Sequence, residues 1–385
     1  MRLSPRIQAT AEPAIPAARA WAARYAGQAG AAVDLTQAVP GYQPHPALLE
    51  QLGRAAGDAR LAGYGPIDGD PALRAALAAD ITRFYGAEVT AADVAITAGG
   101  NLAFSMVMAV ICGHGDKVAL PTPWYFNHQM ALTMLGAQVL PLPCVAEQGF
   151  VPSAAEARAL LAQGARALVL VTPNNPTGAV YPPALIAELA AACRDAGAWL
   201  VLDETYRDFL AESQSPPHQL FSDPAWRDHV VHLYSFSKAY CVPGHRVGAV
   251  VCGPAFRAEL VKALDTWQIC PPRAAQHALA WAVPALLDWR QANRDLMASR
   301  AEAFRSAVAQ LPGWRLDALG AYFAYLRLPE DAPNAMAVAE TLAAERGLMC
   351  LPGPFFGPGQ QRHLRLAFAN VGLEAIAEVP GRLHG

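Results

Sequence analysis

Val230-Val231-His232-Leu233-Tyr234-Ser235-Phe236-Ser237-Lys238, followed by Gly244-His245-Arg246, is the stretch around which this chain is organised. An apolar run ends in two hydroxyls and a lysine, and an arginine stands eight residues beyond the lysine. Only Lys117, Lys238 and Lys262 are lysines among 29 basic side chains, so arginine supplies nearly all the positive charge. A guanidinium stays protonated in proteins, whereas an ammonium can lose its proton and attack a carbonyl carbon. By itself the stretch also fits an ordinary lysine in a surface loop. Its surroundings decide between the two.

On either side, short β-branched runs alternate with helical stretches. Strands are expected near residues 94–97, 117–120, 138–142, 167–171, 199–202, 230–234 and 247–252. Helices at 101–111, 125–135, 153–163 and 183–196 separate most of them. This alternation predicts an α/β fold, with a mostly parallel seven-stranded sheet between helices and ligands beyond the strand carboxyl ends. The link between the last two runs is too short for a helical crossover, so that pair is expected to be antiparallel.

Upstream, helices are expected around Ala17–Tyr25 and Pro46–Ala56. Asp70-Pro71 opens another with an N-cap and a proline at its first position. Downstream come a helix at 254–266 and long helices to about 310. Strands at Tyr322–Leu328, Leu348–Leu351 and His363–Phe368, with a helix near 334–346, form a smaller α+β unit. The expected division is an N-terminal arm and part of the small domain over 1–45, a large domain over 46–272 and a small C-terminal domain over 273–385.

Composition narrows the function classes. A net charge of −3, with 54% hydrophobic and 16% charged residues, gives no electrostatic reason to expect nucleic acid or an anionic membrane. The seven cysteines include no C-x-x-C pair, which reads as reduced thiols in a cytoplasmic protein. No metal-ligand cluster is apparent. No signal peptide or membrane span is expected, because every apolar run is broken well short of about 18 residues.

Four further features fall in the expected strand-end loops. Thr97-Ala98-Gly99-Gly100-Asn101 offers small residues and free N–H groups at a helix start, which suits a phosphate. Pro123-Trp124-Tyr125-Phe126-Asn127-His128 carries aromatics able to lie on a flat ring. Asn174-Asn175-Pro176-Thr177-Gly178 follows an apolar strand, and taken alone is an ordinary Asn-Pro turn. Asp203-Glu204-Thr205-Tyr206 places a carboxylate where it can face a protonated ring nitrogen. Hydroxyls and an arginine beside an imine-forming lysine suggest pyridoxal 5′-phosphate.

In combination these motifs resemble the class I/II aminotransferases of fold type I, the aspartate aminotransferase superfamily, over roughly residues 33 to 375. The resemblance implies that Lys238 carries pyridoxal phosphate as a Schiff base and shuttles the α-proton. Asp203 would hold the pyridine N–H with His128 behind it, and Asn175 and Tyr206 would bond the ring hydroxyl oxygen. Lys238, Asp203 and Tyr206 are thereby the catalytic set. Ser235, Ser237, Arg246, Gly99, Gly100 and Asn101 would hold the phosphate, and Tyr125 would stack on the ring. Tyr64 matches the tyrosine that reaches a neighbouring subunit's phosphate, which implies a homodimer with shared sites. Arg365, in His363-Leu364-Arg365-Leu366, matches the arginine that takes the substrate α-carboxylate, with Asn175 and Val39 also at the substrate. The implied reaction is ping-pong transfer of an amino group between an L-α-amino acid and a 2-oxo acid.

The chain departs from that pattern in places. Ala38-Val39-Pro40 stands where the family often reads Gly-x-Pro, so Thr36, Val39 and Tyr42 are expected to shape the side-chain pocket differently. His245 stands where many relatives carry Trp or Tyr. No second arginine is assignable to a distal carboxylate. A lyase, a synthase or an amino-acid oxidase on the same scaffold would share the lysine and phosphate residues. A ligand-sensing regulator would need a DNA-binding domain that about 33 leading residues cannot supply.

Overall fold

The computed structural model describes residues 2–309 and 311–384. Seven strands form the central sheet in the order Val94–Thr97, Gly248–Val251, Val230–Ser235, Trp199–Asp203, Ala165–Val171, Lys117–Thr122, Gln138–Pro143. Gly248–Val251 runs antiparallel to both of its neighbours, and every other pairing is parallel. Each expected strand is present within about two residues, and so is the antiparallel pair.

The period of two along these strands builds both faces. Leu168, Leu170, Leu200 and Leu202 point into one layer with the helices Pro71–Tyr85, Pro183–Asp195 and Arg273–Ala285. Ala167, Val169, Val201, Val231 and Leu233 point into the other, with Gly100–Ile111 and Pro254–Gln268. At the end of the strand Trp199–Asp203 the same alternation separates two acids. Asp203 meets His128, which stacks on Phe104 in the second layer. Glu204 faces the first layer, where it bonds His232 at 2.9 Å and Tyr85.

A second core surrounds an antiparallel sheet of Leu351–Pro352, His363–Ala367, Phe323–Arg327 and Arg315–Gly320, in that order. Arg315–Gly320 and the helix Leu373–His384 were not expected from sequence. The helix Arg273–Ala285, placed in the smaller unit by the sequence reading, instead buries Ala275, Ala278, Leu279 and Ala282 in the large unit's core. The change of core comes in the long helix Leu287–Val308, whose Met297 and Phe304 join the second one. Near its start, Arg290 bonds Asp80 at 2.7 Å and Asp208 at 2.9 Å, tying it to the large unit.

Asp70 precedes the helix Pro71–Tyr85 as expected but does not cap it with its side chain. Its carboxylate lies 3.4 Å from Arg273, and its backbone N–H donates to Gln276 at 2.7 Å. All seven cysteines are free, and five are buried. No helix among the described residues is long and apolar enough to cross a membrane.

Candidate active site

Five parallel strands end at Thr97, Thr122, Val171, Asp203 and Ser235, and the segments beyond them open onto one cavity of about 240 Å³. Val39, Gly100, Asn101, Tyr125, Asn175, Asp203, Tyr206, Ser235, Ser237, Lys238, Arg246 and Arg365 line it. The fold thus brings together residues spread over more than 300 positions of sequence. Some expected residues stand apart from the lining. Gly99 lies just behind the cradle, and Tyr64 is 82% exposed.

Asp203 is a buried carboxylate aimed at this cavity. Its Oδ2 lies 3.2 Å from His128 Nε2, and its Oδ1 accepts from the Thr205 hydroxyl at 2.7 Å and the Thr205 N–H at 3.0 Å. Burial works to raise its pKa, but His128 and Thr205 outweigh it and hold the carboxyl below its ordinary value. An ionised acid at this depth is suited to a protonated ring nitrogen. Tyr206 donates nothing to Asp203; its hydroxyl accepts from the Asn175 amide at 3.3 Å. Burial, then Tyr125 and Asp203, push the Tyr206 pKa well up, so it stays a neutral phenol with a proton to donate.

Another part of the cavity is rich in hydrogen-bond donors and carries no acid. Gly100 and Asn101 open a 12-residue helix, and Ser235, Ser237 and Arg246 converge on it. Arg246 bonds the Pro243 carbonyl at 3.0 Å and makes no ion pair with an acid among the described residues. Gly99 stands at φ +91°, and a Cβ there would lie 2.7 Å from the Arg246 guanidinium carbon. Only glycine lets the arginine settle against this loop. Helix-start N–H groups, hydroxyls and a guanidinium without an acid partner together suit an anion such as a phosphate.

Arg365 is the second arginine without an acid. It is 2% exposed, donates to Asn175 Oδ1 at 3.0 Å and to the Thr36 carbonyl, and leaves Nε without a partner. Phe323 and Phe356 flank its guanidinium at 5.6 and 5.3 Å. Burial lowers its pKa to about 10, which still leaves it charged at neutral pH. A buried cation with only neutral acceptors around it calls for a carboxylate from outside the protein.

Lys238 lies in the same cavity. Burial first, then the charges of Arg246 and Arg365, lower its pKa to about 8, so an appreciable share of the amine is neutral near physiological pH. Its backbone carbonyl accepts from Tyr42 at 3.3 Å. Tyr42 therefore does not line the cavity as expected; it braces the lysine segment from behind, packed edge-on to Trp289. Thr36 and Val39 do line it.

Thr205 has no role in the expected site, although a hydroxyl two residues after a strand-end Asp is the spacing of a local side-chain turn. Ile15, Gln37, Phe126 and Asn127 also line the cavity without having been singled out as site residues. Ile15 comes from the helix Ala14–Ala22, and nothing in its local sequence marks it.

The family description "aminotransferase class I and II" matches residues 32–383. Arginine–pyruvate transaminase AruH of Pseudomonas aeruginosa is 32% identical over 340 residues, covering 86% of this chain and 84% of that protein. Aromatic aminotransferase ISS1 of Arabidopsis thaliana is 28% identical over 346 residues, covering 88% and 85%. Among solved structures, aspartate aminotransferase from Thermus thermophilus with maleate superposes with a TM-score of 0.90 at 27% identity, covering 100% of this chain and 99% of that one. Pattern, fold and site geometry agree: the chain belongs to the class I and II aminotransferases, enzymes that depend on pyridoxal phosphate.

Proposed function

We propose that this protein transfers an amino group between an L-α-amino acid and a 2-oxo acid in two alternating stages, using pyridoxal 5′-phosphate held at Lys238. The observation that carries the reading is a single cavity holding two arginines without acids, Arg246 and Arg365, and a lysine sensitive to both. The cofactor, when bound, supplies an electron sink for the pair left when an amino acid loses its α-proton.

The protein's residues fit that group. Ser235, Ser237, Arg246 and the amides of Gly100 and Asn101 would take the phosphate, whereas the Gly99 N–H, expected to join them, already donates to the Thr97 carbonyl at 2.8 Å. Asp203, kept ionised by His128 and Thr205, would hold the pyridine nitrogen protonated. Tyr206 and Asn175, already bonded to each other, would reach the ring hydroxyl oxygen. Tyr125, whose hydroxyl lies 3.4 Å from Asn101 Oδ1, would cover the ring face.

Lys238 Nζ would take the proton from the substrate Cα and hold it for return on the cofactor's side of the substrate nitrogen, a task suited to a group with a pKa near the working pH. Arg365 would grip the α-carboxylate with its planar fork and so orient the Cα–H bond, an effect worth several kcal/mol of a barrier. The relatives' names span aromatic and basic amino acids, which supports no choice finer than α-amino acids.

Assembly as a homodimer belongs to the same proposal. Tyr64 is 82% exposed, and Trp267 and Ile269 are exposed at 67% and 47%. Gln268 and Arg273 bond the Ile67 and Arg60 carbonyls, which keeps that segment against the Tyr64 loop. Large apolar side chains left exposed on these two segments support a second copy reached by Tyr64. A fully active monomer in sedimentation would contradict this.

The lysine can be tested without cofactor. Labelling of Lys238 by an amine reagent, read by mass spectrometry, should rise with pH around a midpoint near 8 and not near the ordinary 10.5. Arg365→Gln removes a neighbouring positive charge, so the midpoint should move to higher pH. An ordinary midpoint would overturn the electrostatic account.

The reaction itself is tested anaerobically. With one amino acid and no acceptor, the protein should release its 2-oxo acid stoichiometrically and no ammonia, and a different 2-oxo acid should then be aminated. Lys238→Ala should abolish both stages while keeping the fold. Ammonia release would mark a lyase, and an oxygen requirement an oxidase; either outcome removes the transaminase reading.

A further inference from the structure

The buried turn Asn174–Gly178 meets the antiparallel sheet at two places. One is the bond from Arg365 to Asn175 at 3.0 Å. The other is an approach of bare backbone: Gly178 lies directly against Gly320, the last residue of the strand Arg315–Gly320. A Cβ built on Gly320 would collide with the Gly178 carbonyl oxygen and lie 3.0 Å from its carbon. One built on Gly178 would lie 2.5 Å from the Gly320 oxygen and 2.8 Å from its Cα. Backbone stands on both sides, so no side-chain rotation relieves either clash.

Gly320 is not glycine for its own conformation. Gly178 has φ +78°, but Gly320 is outside the left-handed region. The neighbour alone requires the missing side chain. We propose that the Gly178–Gly320 contact is a steric stop, and that Gly320 is a positioning residue that sets where Arg365 stands relative to the cofactor loop.

Both partners are stiff enough for that role. Asn174 Oδ1 accepts from the Thr177 N–H at 3.1 Å and its hydroxyl at 2.9 Å, and Gly178 N–H closes onto the Asn174 carbonyl at 2.6 Å. On the sheet side, Gly320 pairs with Phe323, whose strand pairs Tyr325 with Arg365. A push on Gly320 therefore passes through one intervening strand to Arg365. An added methyl would drive the sheet back by on the order of an ångström, and a shift of that size costs about 100-fold where binding geometry must be met.

The inference rests on Arg365 being the carboxylate receptor, and the test separates the two. The holoenzyme is titrated spectrally with 2-methylalanine, which has a carboxylate but no α-proton, and with isopropylamine, its counterpart without the carboxylate. Gly320→Ala should weaken 2-methylalanine about 10- to 100-fold and isopropylamine less than about threefold, with cofactor affinity unchanged. Comparing acid with amine on one sample cancels any loss of folded protein. If Gly320→Ala does not fold, Gly178→Ala presses on the same contact from the other side and carries the same comparison. Equal losses for acid and amine, or none for the acid, overturn the stop. If Arg365→Ala itself spares 2-methylalanine, the reading of Arg365 fails instead.

Discussion

A guanidinium buried without a carboxylate beside it is costly, and Arg365 is in that position. Its donors reach only the Asn175 amide oxygen and the Thr36 carbonyl, neutral groups that orient it without cancelling its charge. On the proposed reading, that unanswered charge selects for substrates that carry a carboxylate. The same charge, added to that of Arg246 and to burial, lowers Lys238 to about 8. Binding and chemistry are coupled here through one electrostatic arrangement. An anion placed on either arginine relieves the cost of burial and also favours the protonated lysine.

The scaffold supports this by separating duties across a sheet. The β-strand period puts Asp203 on the cavity side and Glu204 on the other, where His232 and Tyr85 pin it. Neighbouring acids thus hold the same strand end from two layers. Behind the lysine, Tyr42 braces the backbone carbonyls of Lys238 and Ala239 at 3.3 and 3.2 Å. Arg290, bonded to Asp80 and Asp208, ties the long helix that leads to the second core. The groups that would touch a ligand are held by groups that do not.

Much of this was legible in the sequence, for physical reasons. Parallel strands buried on both faces are continuous β-branched and leucine runs, which is why Leu168–Val171 and Trp199–Leu202 stood out. The motifs in the strand-end loops were legible because those loops follow apolar runs in order along the chain, but Arg365, inside the strand His363–Ala367, and Val39 were assigned only through the family resemblance. What escaped lacks such a local signal. Arg315–Gly320 is an edge strand, half exposed and carrying Arg315 and Asp317, so it lacks an apolar run. Leu373–His384 contains Pro380 and Gly381, which read as breakers. Nothing local distinguishes Arg273–Ala285 from the helices that follow it, yet it packs back on the large unit's core. Thr205 carries a local signal in its two-residue spacing from Asp203, whereas the bracing by Tyr42 and the Gly178–Gly320 approach depend on contacts formed only after folding.

The central claim is that the two arginines divide the cavity, Arg246 for the cofactor's phosphate and Arg365 for the substrate's α-carboxylate. The measurement that tests it most directly is a crystal structure of the protein with pyridoxal phosphate and an unreactive α-amino acid analogue. The account predicts the phosphate against Arg246, Ser235 and Ser237, and the carboxylate paired in two-pronged fashion with Arg365. A carboxylate held elsewhere, with Arg365 still bonded only to Asn175 and Thr36, would contradict it.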